Sequence, residues 1–292
     1  MNHFWIILIG ALVGGSCSIL GCFLVLRKMS MIGDAISHSV LPGIVIAFLI
    51  SGTRDSLFMM LGAAAVGLIT VFLIQMFQNN GVQSDASIGV VFTALFAIGV
   101  VLVSLFTRQV DIDLDCVLYG EIAYAPWDTL QIGEHSLGPR AVWGIGASFL
   151  INVLAVSLFY KQFKLSAFDP AMAAALGIPV MFFHYLLMGL VSVSTVASFE
   201  SVGAILVVGM IIIPAAAAYL LTDKLSAMII WSVMISILSS VIGYYFAYLT
   251  DTSISGMMVS VAGVIFALAL LFSPTHGVVM KKWKRERMIS RI

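Results

Sequence analysis

Long apolar runs broken at short polar intervals set the pattern of this 292-residue chain. Nine such runs lie near 5–26, 30–50, 56–77, 86–107, 141–160, 181–198, 202–221, 225–249 and 255–273. Several reach the roughly 20 residues that a helix needs to cross a bilayer. Runs six and seven are parted only by Ser198-Phe-Glu-Ser201, which reads either as a loop between two spans or as a break in one helix with a re-entrant piece. Nine spans is the working count and eight the alternative. The predicted fold is all-α, a polytopic transmembrane helical bundle.

Composition fixes the solvent. The chain is 61% hydrophobic and 10% charged, whereas soluble domains carry about 25% charged residues. A water-facing surface cannot be built from it. No cleavable signal peptide is expected: the start lacks a basic region, and the first run is too long and has no clear small-x-small cleavage site. Residues 1–280 read as one transmembrane domain, and 281–292 as a basic tail.

Charge orients the bundle. With the Arg27-Lys28 turn inside, nine alternating spans place Lys161, Lys164, Lys224 and the tail inside too, leaving Arg54, Arg108 and Arg140 outside. Eleven basic residues against three obeys the positive-inside rule. The N-terminus is then outside and the C-terminus cytoplasmic. Beside a final span, the basic tail reads as a topological anchor and lipid-headgroup contact rather than a nucleic-acid surface. Acids gather outside, including Asp55, Glu121, Asp128, Glu134 and Asp251. In Asp111-Ile-Asp-Leu-Asp115, alternation along an extended chain puts Asp111, Asp113 and Asp115 on one side. Such a cluster concentrates cations at an entrance or faces a partner protein, and it also fits a plain solvated loop.

Within the second run, Met31-Ile-Gly-Asp-Ala-Ile-Ser-His-Ser-Val-Leu-Pro-Gly43 carries the chemistry. Asp34 and His38 stand at i and i+4, so a helix presents carboxylate and imidazole on one face. Ionisable groups at membrane depth are costly and mark substrate or ion paths; the structural reading is a helix-end Asp with a hydrogen-bonded His. Oxygen with imidazole nitrogen suits Mn(II), Zn(II) and Fe(II), and the absence of thiolate avoids very tight capture of soft metals. Two ligands are too few for a closed site, but a twofold pair of subunits would supply four. Pro42 removes a helix hydrogen bond and predicts a bend nearby. Glu200, between runs six and seven, ranks second, with a headgroup-level carboxylate as its structural reading. His184 reads as a packed or interfacial histidine, and His3, His135 and His276 as solvated ones.

Other features exclude alternatives. Cys17, Cys22 and Cys116 form neither a disulfide framework nor a metal-ligand spacing, and the 16 methionines are scattered through apolar runs. No phosphate-binding Gly-rich loop, His-Glu-x-x-His or Gly-x-Ser-x-Gly motif occurs. The chain reads as a conduit, and any ATP hydrolysis belongs to another subunit. Between runs five and six, Phe168-Asp-Pro-Ala-Met-Ala-Ala-Ala-Leu-Gly-Ile-Pro-Val180 predicts a short internal helix. Asp169 caps it, Pro170 fits its first turn, and Gly177 with Pro179 ends it. Its small side chains suit docking in a groove of another protein, though a plain interhelical turn fits as well.

These motifs together resemble the permease subunit of the manganese/zinc/iron family of ABC importers, over essentially the whole chain. The residues that carry the resemblance are Leu26-Arg-Lys28, Gly33-Asp-Ala-Ile-Ser-His38 with Leu41-Pro-Gly43, Phe168-Asp-Pro170 through Leu176-Gly177, and Phe199-Glu-Ser-Val-Gly203 running on to Pro214-Ala-Ala-Ala-Ala218. Leu114-Asp-Cys-Val-Leu-Tyr-Gly-Glu121 is similar to the manganese-type branch. One departure is Ala171, where the family often has an acid after Asp-Pro. The resemblance implies a fold like type II ABC importer permeases and a metal site at Asp34 and His38. It implies an ATPase-coupling segment within 165–180, with Phe168, Asp169, Pro170, Ala173, Leu176 and Gly177. A gate over 196–208 would place Glu200 near the entrance. Implied partners are cytoplasmic ABC ATPase subunits, an extracellular solute-binding lipoprotein and a second permease, identical or related, in a bacterial cell membrane. No permanently bound cofactor is implied; the cargo would be Mn(II), with Zn(II) or Fe(II) as alternatives. Against this stand a proton-coupled secondary metal transporter, for which no inverted repeat of broken helices is visible, and a membrane enzyme, for which no third ligand or nucleophile is visible.

Overall fold

The structure, a computed structural model, describes residues 2–51, 56–106, 122–132, 135–273 and 277. Its helices are α1 (Asn2–Leu26), α2 (Met31–Ser39), α3 (Leu41–Ser51), α4 (Ser56–Asn79), α5 (Ser84–Phe106), α6 (Arg140–Leu158), α7 (Tyr160–Phe168), α8 (Pro170–Ala175), α9 (Val180–Val202), α10 (Ala204–Leu221), α11 (Leu225–Thr250) and α12 (Ile254–Phe272). Among the described residues, nine helical spans are long and apolar enough to cross a membrane, with α2 and α3 together forming the second. Thr129–Ile132 (β1) and His135–Pro139 (β2) form an antiparallel pair that the hydropathy pattern did not announce.

Helix α1 is the centre. It packs on α10, α11 and α6, while α2, α3, α4 and α5 form a second group. Helix α9 stands between them, touching α2 and α4 on one side and α1 and α6 on the other. Helices come closest where side chains are smallest: a Cβ on Gly21 would sit 1.8 Å from the Ile211 carbonyl oxygen, so α1 and α10 meet backbone to backbone. Buried polar groups tie the spans where lipid offers no hydrogen bonds. Asn152 Nδ2 on α6 donates to Ser16 Oγ of α1 and Ser194 Oγ of α9, both at 2.7 Å, and Ser148 Oγ donates to Ser194 Oγ at 3.1 Å. Cys17 and Cys22 are buried free thiols on α1.

Three local expectations change. The boundary between spans six and seven falls at Gly203, not at Ser198–Ser201, so α9 continues as helix through Glu200. Gly203 adopts φ 80°, ψ 165°, a conformation essentially reserved for glycine, and that residue alone turns the chain. The second span is interrupted at Val40, two residues before Pro42. Proline at 42 removes the N–H that would bond the His38 carbonyl, which loosens the ladder on its N-terminal side. His3 is exposed, yet it contacts the rings of Tyr244 and Tyr248 and hydrogen-bonds the Tyr244 hydroxyl.

Candidate metal centre

Helix α2 buries Ile32, Gly33, Ala35, Ile36, Ser37 and Ser39, which leaves Asp34 and His38 on its open face. Two contacts fix that rotation. Ser39 Oγ bonds Thr70 Oγ1 of α4 at 2.7 Å, and Gly33 lets α2 lie close to Ile211 of α10. Ser37 Oγ turns inward to the Gly33 carbonyl at 2.9 Å. The side chains of Asp34 and His38 are 33% and 32% exposed, with Oδ1 and Nε2 3.5 Å apart. That separation is a long polar contact rather than a short hydrogen bond. Phe92 and Phe96 of α5 flank the imidazole at ring-centroid distances of 6.0 and 6.1 Å.

Both side chains face an open cavity of about 450 Å³. Its other walls are Ala204, Ile205, Val208 and Gly209 from the first two turns of α10, and Val259 of α12. The cavity is otherwise apolar, so the carboxylate and the imidazole are its chemistry. No third His, Cys, Asp or Glu joins them among the described residues. A carboxylate oxygen and an imidazole nitrogen facing one space are donors of the kind that divalent cations accept.

The remaining sequence candidates separate. Glu200 lies in the last turn of α9, three residues before Gly203, and only its backbone is described. Asp111, Asp113 and Asp115 lie outside the described residues, as does the tail 281–292. In the internal segment, Asp169 accepts from the Met172 N–H at 2.9 Å, and Pro170 opens α8. Gly177 N–H donates to the Ala174 carbonyl and Ile178 N–H to the Ala173 carbonyl, both at 3.0 Å, closing the helix with Gly177 at φ 77°. Phe168, Met172 and Leu176 are exposed, at 55%, 54% and 63%. Ala173 departs from the expected docking face: it is fully buried, its small side chain letting α8 lie against the bundle. Missed in the sequence were the Phe92 and Phe96 flank and a link from Arg27 to Ser166 and His184. The α10 wall falls largely within the 196–208 segment that the family resemblance implied as a gate.

A bundle of membrane-length helices, with a partly exposed Asp/His pair on one of them and a capped short helix between spans, defines a multi-pass membrane protein. Residues 2–273 match the ABC 3 transport family, and the chain belongs to it. It is 54% identical over 284 residues to the manganese transport system membrane protein MntD of Bacillus subtilis, covering 97% of this chain and 96% of that one. It is 43% identical over 277 residues to the zinc transport system membrane protein TroD of Treponema pallidum, covering 94% of this chain and 75% of the relative. Among solved structures, PsaBC from Streptococcus pneumoniae in complex with Fab shares the fold at a TM-score of 0.79 and 30% identity, covering 95% of this chain and 94% of that one. The fold is that of an ABC transporter permease.

Proposed function

We propose that this chain is the permease subunit of an ATP-driven importer of divalent transition metal, with Mn(II) as the favoured cargo and Zn(II) or Fe(II) as the alternatives. The observation that carries this reading is the convergence of Asp34 Oδ1 and His38 Nε2 at 3.5 Å on the wall of an open cavity. The names of the relatives support a metal as cargo, and manganese above zinc. Each chain supplies two ligands, so a second permease, a copy or a relative, completes the site across the open face. Such a site binds firmly enough to admit the ion and loosely enough to release it.

The rest of the molecule takes its role from this. Segment 165–180 docks on a cytoplasmic ABC ATPase through Phe168, Met172, Leu176 and Gly177, while Asp169 and Pro170 hold α8 in shape. An extracellular solute-binding lipoprotein delivers the metal past Glu200 and the acids Asp111, Asp113 and Asp115. The N-terminus is outside and the basic tail 281–292 cytoplasmic, with residues 1–280 as one membrane domain. In this orientation α2 starts from the inner side and α10 and α12 from the outer side, so the Asp34/His38 cavity lies between the two faces.

Asp34→Ala and His38→Ala, assembled with the ATPase, should abolish uptake of radiolabelled Mn(II) and leave assembly intact. Wild-type uptake in both variants would sink the assignment, and competition between Mn(II) and Zn(II) in the wild type ranks the cargo.

A further inference from the structure

Arg27 is a basic residue that topology alone does not explain. It caps the C-terminal end of α1 and turns inward. Its Nη2 donates to Ser166 Oγ on α7 at 2.7 Å, and its Nη1 donates to His184 Nδ1 on α9 at 3.3 Å. Ser166 and His184 are buried, and Ser166 Oγ donates onward to the Phe163 carbonyl at 3.2 Å. The same three helices meet a second time in an aromatic cluster, Phe23 of α1 with Phe163 of α7 at 5.5 Å and Phe163 with Phe183 of α9 at 5.6 Å. A planar fork that donates in two directions suits arginine and not lysine.

This node is not built for stability. No carboxylate among the described residues pairs with the guanidinium. Burial pulls its pKa below the ordinary value, yet arginine keeps its charge. Arg27 Nε and His184 Nε2 are buried without hydrogen-bond partners among the described residues. A half-buried cation held by neutral partners, with donors left over, adds little to stability.

Its position supplies the reason. Ser166 stands three residues before the Asp169 cap, so α7 is the stem of the coupling segment. On the α1 side, the chain passes through Lys28, left-handed at φ 58°, with Lys28 N–H on the Val25 carbonyl and Met29 N–H on the Leu24 carbonyl. That tight turn leads into α2 and Asp34. On the α9 side, one helix runs from His184 to Val202, and Gly203 then hands over to the α10 wall of the cavity. Arg27 therefore touches the stem of α8 and the root of both cavity walls.

We propose that Arg27 is a positioning residue, a strut that passes displacement of α7 and α8 to α2 and to α9–α10 together. This rests on the importer reading. Without the strut, α8 still docks and the cavity still binds metal, but the two events lose their link.

The experiment is the permease–ATPase complex in lipid vesicles, carrying Arg27→Lys, Arg27→Gln or Ser166→Ala. Import of radiolabelled Mn(II), ATP hydrolysed per Mn(II), Mn(II) binding by electron paramagnetic resonance and melting temperature are measured side by side. Arg27→Lys should lower kcat for import by roughly two- to thirtyfold, the span of a single-residue coupling effect. KM for Mn(II), bound Mn(II) and assembly should stay at wild-type values, so ATP hydrolysed per ion rises by the same factor. Ser166→Ala should move in the same direction. Wild-type ratios in both variants overturn the strut, and so does a loss of import that merely tracks melting temperature. If Arg27→Gln does not assemble, the other two variants decide. A wild-type complex that imports no Mn(II), Zn(II) or Fe(II) on ATP overturns the importer reading and the strut with it; a working wild type with unchanged variants overturns the strut alone.

Discussion

Replacing Gly203 by alanine isolates one backbone conformation. Gly203 joins α9 to α10 at φ 80°, ψ 165°. Its N–H bonds the Phe199 carbonyl at 3.0 Å and its carbonyl receives the Val207 N–H at 3.4 Å. Alanine keeps both bonds, and its Cβ strains the backbone at this φ and ψ. An L-residue in this region is strained by about 1–3 kcal/mol, and 2 kcal/mol corresponds to a roughly thirtyfold shift between conformations at 1.4 kcal/mol per decade. The matched control is Gly263→Ala in α12, where an added Cβ meets nothing within 4 Å. There alanine should be neutral or stabilising, by up to about 1 kcal/mol, through helix propensity. Scanning fluorimetry of the purified protein in detergent reads both variants, and import in vesicles reads the functional consequence. Gly203→Ala should melt below wild type and import less, because relaxing the joint moves Ala204 and Ile205 off the cavity wall. A Gly203→Ala protein as stable as Gly263→Ala, with full import, would refute the reasoning.

Asp169→Ala removes the acceptor for the Met172 N–H, worth about 1 kcal/mol at a helix N-cap. Affinity for the ATPase, measured by titration in nanodiscs, should fall by about fivefold, and an unchanged affinity would separate α8 from docking. Lys28→Gly relieves a non-glycine residue held at φ 58°. Its melting temperature should rise, reflecting about 1 kcal/mol, and a lowered one would show that the lysine side chain contributes more than its backbone strain removes.

Local chemistry was legible and tertiary placement was not. Asp34 and His38 could be paired from sequence because i and i+4 on a helix suffices, and α8 could be bounded because Asp169-Pro170 and Gly177 act on their own backbone. The end of α9 was misplaced because Ser198, Glu200 and Ser201 look like a loop by polarity, yet polarity does not stop a helix. A backbone that must leave helical space does, and only Gly203 supplies it. Arg27 and His184 stand 157 residues apart, and no periodicity links them. Ala173 reads like its alanine neighbours until packing assigns one of them to the inside.

The two walls of the Asp34/His38 cavity differ in kind, and on the importer reading that difference would bear on release. The α2 wall is held by Ser39 on Thr70 of α4, so its two polar side chains keep their geometry. The opposite wall begins directly after Gly203, at a glycine-only joint, and presents Ala204 and Gly209, which bring no ligand of their own. Moving the first turns of that wall, ahead of the Ile211 contact with Gly33, alters cavity size and access while Ser39 on Thr70 still holds α2. Affinity then changes through the partner's ligands and through water admitted to the cavity, because binding shifts only with a difference in contacts between two states. A fixed half-site facing a hinged apolar wall can thus switch from holding a cation to releasing it with Asp34 and His38 left where they are.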